Sequence, residues 1–227
     1  MKIQNLIITC DKNVELQNAI RQTYAKDTDS YVFFGDSFKP DMISCLGLPA
    51  GYQYVPFKLA YCVMACNSQD EFDFYFFQDD DTYVDIKALK KEIANCGISN
   101  DKPQCLGRIF RNYGQEEALE QGMPLQSLRG KDCNLPVDYP SGGAGFVVNS
   151  VGFKAIRNYL RDNADFATAY NSDISIGLWM RNIGNFEMIH SEKFRPDSHG
   201  YNEMQDKVTF HHMSPERLRE LHGKAKL

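Results

Sequence analysis

Three consecutive carboxylates, Asp79, Asp80 and Asp81, close an aromatic run that begins at Phe72. Side by side they repel one another, and that repulsion, added to partial desolvation, is relieved by a divalent cation; oxygen donors of this kind suit Mn²⁺ or Mg²⁺ better than a soft metal. Alone, the triplet leaves open a second, less favoured reading as a solvated acidic turn capping the next helix. Further along, Tyr-Pro-Ser-Gly-Gly-Ala-Gly (139–145) sets two adjacent glycines, Gly142 and Gly143, after Ser141. There the backbone can approach a ligand closely, or simply turn. The Asn171-Ser172-Asp173 step offers a helix N-terminus carrying one carboxylate, for which a capping Ser172 with Asp173 in the first turn is the plain alternative. His211 and His212 end the apolar run Val-Thr-Phe, where a neutral imidazole can complete a carboxylate-metal site. Strand alternation sends successive side chains to opposite faces, so one of the two rings is expected to face such a site.

The surrounding segments suggest how these residues are held. Ile3 to Thr9 reads as a buried strand, followed by a polar turn and a helical stretch from Val14 to Ala25 with apolar residues at Leu16, Ala19 and Ile20. Tyr31 to Gly35 is a second short strand, and Val55 to Cys66 returns to helical spacing. Phe72 to Phe77 is a dense aromatic strand running into the triplet, after which Asp85 is placed to cap a helix through Ile86–Ala94. From Arg111 to Asp138 the periodicity dissolves, which predicts an irregular excursion. Then come a strand over 146–149, a helix from Val151 to Leu160, another after Ser172, a final strand from Lys207 to His211, and a terminal helix with Ser214 and Pro215 at its N-cap and first turn. Strands alternating with helices predict an α/β fold around one sheet. The organisation expected is a single domain, with residues 1–110 forming one half, 111–138 the irregular loop and 139–227 the second half.

Composition excludes several classes. In 227 residues, 43% are hydrophobic and 24% charged, an ordinary globular balance rather than that of a disordered or fibrous chain. The net charge of −5 gives no global basic surface, so no nucleic-acid partner is expected. No apolar run nears the length of a membrane span, and the N-terminus carries no basic, apolar and small-residue leader pattern. These features predict a cytoplasmic protein, or a Golgi-lumenal one if the chain is an excised domain. Seven scattered cysteines, an odd number, read as reduced thiols; Cys62 and Cys66 lie four apart, but no second pair follows at zinc-finger spacing.

Taken in order, FFQDDDTYV, YPSGGAGFVV, SDISIG and VTFHHM resemble the fringe and core-1 beta-1,3-galactosyltransferase family, at roughly that family's spacing. The opening LIITCDKN, the Arg21-Gln22-Thr23-Tyr24 step and Leu106-Gly107-Arg108 extend the resemblance over about the whole chain. It implies a glycosyltransferase A-type fold, with a Rossmann-like nucleotide-binding half fused to an acceptor-binding half around one central sheet. It also implies a UDP-sugar donor, a glycan or glycoconjugate acceptor and a Mn²⁺ or Mg²⁺ cofactor. Carried over by position, Asp81 binds the metal with His211 as a second ligand. Asp79 and Asp80 contact the ribose and order the site, Asp79 also standing among the metal ligands, and Asp173 is the general base. Ser141, Gly142 and Gly143 then lie along the donor sugar, with Thr9, Arg21 and Arg108 near the uridine diphosphate. The chain departs from the family in having Ser172 where another acid is usual, and in the second histidine, His212.

The chemistry implied is coherent. A bound cation stabilises charge developing on a diphosphate leaving group, and an acceptor hydroxyl needs a base to attack. Attack opposite the leaving group inverts the anomeric centre, so an alpha-linked donor gives a beta-glycoside, here expected as a beta-1,3-type linkage. Holding donor and acceptor in line contributes much of the acceleration, and the 111–138 loop is expected to border the acceptor. Two other readings compete. A metal-dependent phosphatase with an aspartate nucleophile also starts from strand-Asp-x-Asp, but Tyr83 stands where that fold wants Thr or Val. A non-catalytic sugar-binding module would keep the glycines and aromatics without needing Asp81, His211 and Asp173 in one cleft.

Overall fold

The computed structural model describes residues 1–45, 47–48, 51–66, 72–120, 122, 128–198 and 206–225. The chain opens with β1 (Ile3–Ile8), α1 (Val14–Gln22), β2 (Ser30–Gly35), β3 (Met42–Ser44) and α2 (Val55–Ala65). Next come β4 (Phe74–Asp79), β5 (Tyr83–Val84), α3 (Ile86–Asn95), β6 (Gln104–Gly107), β7 (Ile109–Tyr113), α4 (Gln115–Glu120) and β8 (Val137–Pro140). It ends with β9 (Phe146–Asn149), α5 (Ser150–Asp162), α6 (Ser172–Ile183), β10 (Glu187–His190), β11 (Phe194–Arg195), β12 (Thr209–Phe210) and α7 (Pro215–Ala225).

Seven strands form the central sheet in the order β10-β6-β9-β4-β1-β2-β3. Only β9 runs against its neighbours; β1 lies parallel to β2 and β4, and β10 parallel to β6. The aromatic strand β4 is buried on both faces, which is why it lacks polar alternation. Phe74 and Phe76 join the core beneath α1, α3 and α7, while Tyr75 and Phe77 join the core beneath α2, α5 and α6. Tyr75 stacks on Phe153 of α5 at 3.7 Å. The result is a three-layer α/β/α arrangement whose sheet takes strands from both ends of the chain.

Two features of this topology build the site. Because β9 is antiparallel to β4, the turn entering β9 lies at the same sheet edge as the carboxyl end of β4. A small second sheet, β11-β12-β5, pairs Phe210 with Tyr83 in antiparallel register, so the residue after Phe210 lies opposite Thr82. Asp85 caps α3 as expected, its Oδ1 accepting from the Ala88 N–H at 2.9 Å.

Several local expectations are corrected. The stretch 111–138 is not wholly irregular: β7 and β8 pair across it and α4 lies between them, with residues 121 and 123–127 outside the described set. The irregularity of the β7–β8 register and the short strands erased the sequence period. Tyr139 and Pro140 belong to β8, not to the glycine turn. α1 ends at Gln22 and continues only as a 3₁₀ turn, and the last strand is just Thr209–Phe210.

Candidate active site

An open cleft of about 950 Å³ lies at the carboxyl edge of β1, β2 and β4, where ligand sites of open α/β sheets form. Its walls bring together Thr9, Asp79, Asp80, Asp81, Ser141, Gly143, Asp173, His211 and His212, drawn from five separate segments of the chain. Gly142 lines a narrower recess beside it with Asp79 and Asp173.

Each carboxylate of the triplet has its own surroundings. Asp80 is buried and turns toward α1, accepting from Thr9 Oγ1 at 2.5 Å and from Asn13 Nδ2 at 2.9 Å. Burial pushes its pKa up to about 6 against those two donors, with Asp81 and Asp79 adding repulsion. Asp81 and Asp79 face His211: its Nε2 lies 3.1 Å from Asp81 Oδ1 and 3.6 Å from Asp79 Oδ2. Burial would lower the His211 pKa, but the two carboxylates outweigh it and push it up to about 10. The imidazolium in turn holds Asp81 below the usual carboxylate range despite its burial. Positive charge is thus drawn to the point between Asp79 and Asp81. Carboxylate oxygens suit Mn²⁺ and an added imidazole is a donor that divalent transition metals accept, and Asp81, His211 and His212 form the one group of three converging metal-ligand side chains among the described residues.

His212 overturns the expectation that only one ring faces the site. The strand ends at Phe210, and His212 takes a left-handed backbone with φ of 59°. Its ring therefore folds back over His211, centroids 3.8 Å apart, with Nδ1 3.5 Å from Asp81 Oδ2.

Across the cleft, Asp173 projects from the first turn of α6. The cap is Asn171 rather than Ser172: its side chain accepts from the Asp173 N–H at 2.8 Å, which frees the Asp173 carboxylate to reach away from its own helix. Asp173 Oδ2 accepts from the Gly142 N–H at 2.8 Å, and Oδ1 from the Ser172 hydroxyl at 3.2 Å. Burial raises its pKa to about 7 against the Gly142 bond, with Asp79 adding repulsion. The two glycines are needed for close approach: a Cβ on Gly142 would enter the Asp173 carboxylate, and one on Gly143 the His211 ring. Thr82 Oγ1 donates to the Gly143 carbonyl at 2.7 Å, tying this turn to the triplet. The Ser141 hydroxyl accepts from the Ala144 N–H at 3.3 Å, closing the same turn.

Arg21 and Arg108 do not join them. Arg21 forms a two-pronged pair with Asp41 at 2.7 and 3.0 Å and lies over the Phe33 ring, outside the cleft residues. Arg108 is held by Glu192. Each guanidinium is thus matched to a carboxylate of a neighbouring segment, a long-range pairing that no local pattern announces. Conversely, Asn13, Asp36 and Lys58 line the cleft unanticipated. Lys58 is buried and paired with Asp36; its one sequence signal was a lone charge in the otherwise apolar α2. Asn13 precedes α1 as a cap would, but its side chain goes to Asp80 instead.

No protein-family model matches the chain. Among solved structures it is similar to a glycosyltransferase involved in the glycosylation of the major capsid of PBCV-1, with a TM-score of 0.54 and 14% identity over 99% of this chain and 100% of that one. It also matches the galactosyltransferase LgtC in complex with donor and acceptor sugar analogs, at a TM-score of 0.47 and 11% identity over 97% of this chain and 95% of the other. The apo-form glycosyltransferase GlyE of Streptococcus pneumoniae TIGR4 gives 0.49 and 12%, over 100% of this chain and 60% of that one. The first likeness is one of fold, and with the mixed sheet it identifies the architecture as the expected α/β glycosyltransferase A-type.

Proposed function

We propose that the protein is a metal-dependent glycosyltransferase that moves a hexose or N-acetylhexosamine from a UDP-sugar to a hydroxyl of a glycan or glycoconjugate, with inversion, in a beta-1,3-type linkage. The observation that carries this reading is the convergence of Asp79, Asp81 and His211 with Asp173 across one cleft of nucleotide-sugar size. The ordered motifs shared with the fringe and core-1 family support the same donor and acceptor classes.

In this reading Asp81, His211 and Asp79 hold a Mn²⁺ or Mg²⁺ ion, which when bound stabilises negative charge on the departing diphosphate. Thr9 and Asp80 border the nucleoside, with Asn13 keeping the Asp80 carboxylate in place. The Ser141-Gly142-Gly143 backbone lies along the donor sugar, where the absence of side chains leaves room for the ring. Asp173 takes the proton of the attacking hydroxyl. Its pKa of about 7 makes it a stronger base than an ordinary carboxylate; the Gly142 N–H fixes Oδ2, and Oδ1, which accepts from the Ser172 hydroxyl at 3.2 Å, is the oxygen that takes the proton in this reading.

The test is release of UDP from a panel of UDP-sugars with and without Mn²⁺, for the wild type and Asp81→Ala, followed by the anomeric configuration of any product by NMR. Mn²⁺-dependent release from one donor, lost in Asp81→Ala, is the expected result. A retained configuration would remove the base role of Asp173. UDP-sugar binding without turnover, unaffected by metal removal, would favour a sugar-binding module, and phosphate release from simple esters a phosphatase.

A further inference from the structure

The two histidines do not compete for one ligand position. We propose that His211 and His212 bind the same divalent cation together with Asp81, making a two-histidine, carboxylate-anchored centre; this rests on the transferase reading of the cleft. The separations support it. In a six-coordinate site with metal-ligand distances near 2.1 Å, adjacent donors lie about 3.0 Å apart. Here His211 Nε2 stands 3.1 Å from Asp81 Oδ1, and His212 Nδ1 3.5 Å from Asp81 Oδ2; taking one donor atom from each of the three residues, all lie within 4.8 Å of one another. Asp79 Oδ2, 3.6 Å from His211 Nε2, stands ready as a fourth.

The backbone supplies an independent observation. His212 is a non-glycine residue at φ of 59°, a conformation uncommon outside glycine, though histidine accepts it more readily than most residues, and one that clusters at functional sites. It is imposed from both sides: Phe210 is fixed by its pairing with Tyr83, and the Met213 N–H donates to the Asp81 carbonyl at 2.9 Å, with the Met213 side chain buried. The chain therefore crosses back over Asp81 and carries an exposed imidazole to it. A ring present only as surface decoration would need neither the left-handed turn nor the stacking on His211.

Two imidazoles shift the preference of the centre. Nitrogen donors favour Mn²⁺, Co²⁺ or Zn²⁺ over Mg²⁺, which demands oxygen ligands and keeps its waters. The site is thus selective against Mg²⁺, whereas a centre with one histidine and two carboxylates discriminates less.

Pulsed electron paramagnetic resonance on the full chain with bound Mn²⁺ and UDP counts coordinated imidazole nitrogens directly. Two are expected in the wild type and one in His212→Asn, a replacement chosen because asparagine also accepts the left-handed backbone. Competition titration should show Mn²⁺ affinity falling about tenfold in His212→Asn while Mg²⁺ affinity barely changes. A single nitrogen in the wild type, or an unchanged count in the variant, would overturn the two-histidine centre and leave the transferase reading standing. Absence of bound Mn²⁺, or Mn²⁺ that persists unchanged in Asp81→Ala, would overturn both the centre and the metal dependence on which it rests.

Discussion

Asp173 and His211 illustrate how little freedom the reacting groups have. Asp173 works as a base only when ionised, so kcat/KM should rise with pH along an acid limb whose apparent pKa is no higher than about 7, because a cation near Asp79 would relieve part of the repulsion that raises it. Asp173→Asn keeps an acceptor for the Gly142 N–H but removes the base; kcat should fall by about 10²- to 10⁴-fold with UDP-sugar binding nearly unchanged. An acid limb that survives in Asp173→Asn would assign the proton transfer elsewhere. Gly143→Ala places a methyl group where the His211 ring lies. Either the ring or the turn must move, so Mn²⁺ affinity should drop by about tenfold or more, with a stability loss of about 1–3 kcal/mol, both read from metal-titrated thermal melts. These requirements were partly visible as residue types. The triplet, the glycine pair and the histidines were all singled out by their chemistry, whereas Lys58 and Asp36 were not, because the lone charge in α2 does not name its partner beyond the end of β2.

At the level of elements, the junction around Asn149 does for the second half of the sheet what Asp85 does for the first. Its Oδ1 accepts from the Gly152 N–H at 2.8 Å, capping α5, and from the Gln104 N–H at 3.0 Å, while its Nδ2 donates to the carbonyls of Ser99 and Lys102 at 2.5 and 2.7 Å. A fully buried amide with all four hydrogen bonds made locks β6, β9 and α5 together. Asn149→Ala would strand several of those partners and should cost about 3 kcal/mol by urea denaturation, whereas Asp85→Ala, which loses a single cap bond, should cost about 1 kcal/mol. Equal costs would mean the Asn149 network is satisfied by water. Asp85 was legible because a cap is a local pattern, an acid before a helical period. Asn149 precedes its helix in the same way, but the partners that make it costly to remove lie 45 to 50 residues away.

Across the whole molecule, the cleft concentrates groups whose proton affinity is raised in the folded state, the carboxylates because burial disfavours their charge and the histidine because carboxylates favour its own. Asp80 and Asp173, raised to about 6 and about 7, and His211, raised to about 10, each bind a proton more tightly folded than unfolded. Stability from such a group is complete below its unfolded pKa and lost as pH rises through the folded one. The melting temperature of the metal-free protein should therefore fall between about pH 4 and pH 10, with the histidine contribution lost last. Asp81, held low, has the opposite sign and loses its contribution only as pH falls through the acid range. Mn²⁺ with UDP should raise the melting temperature more at the alkaline end, since His211 must shed its proton to become a ligand. A melting temperature flat across that range in metal-free buffer would show that the cleft groups do not bind their protons more tightly in the folded state. By itself the sequence determined the α/β class, the aromatic central strand and the identity of most groups with chemistry, because burial periodicity, capping and like-charge crowding are properties of neighbours along the chain. Only the tertiary structure decided which of those groups meet. The antiparallel direction of β9 brings Gly142 and Gly143 to the edge where β4 ends, the β5–β12 pairing carries His211 to Asp81 across about half the chain, and the left-handed turn at His212 brings the second ring after it. Arg21 and Arg108 are drawn off instead by carboxylates on adjacent segments. Long-range pairing and backbone handedness set those distances, and neither has a period that a linear sequence can display.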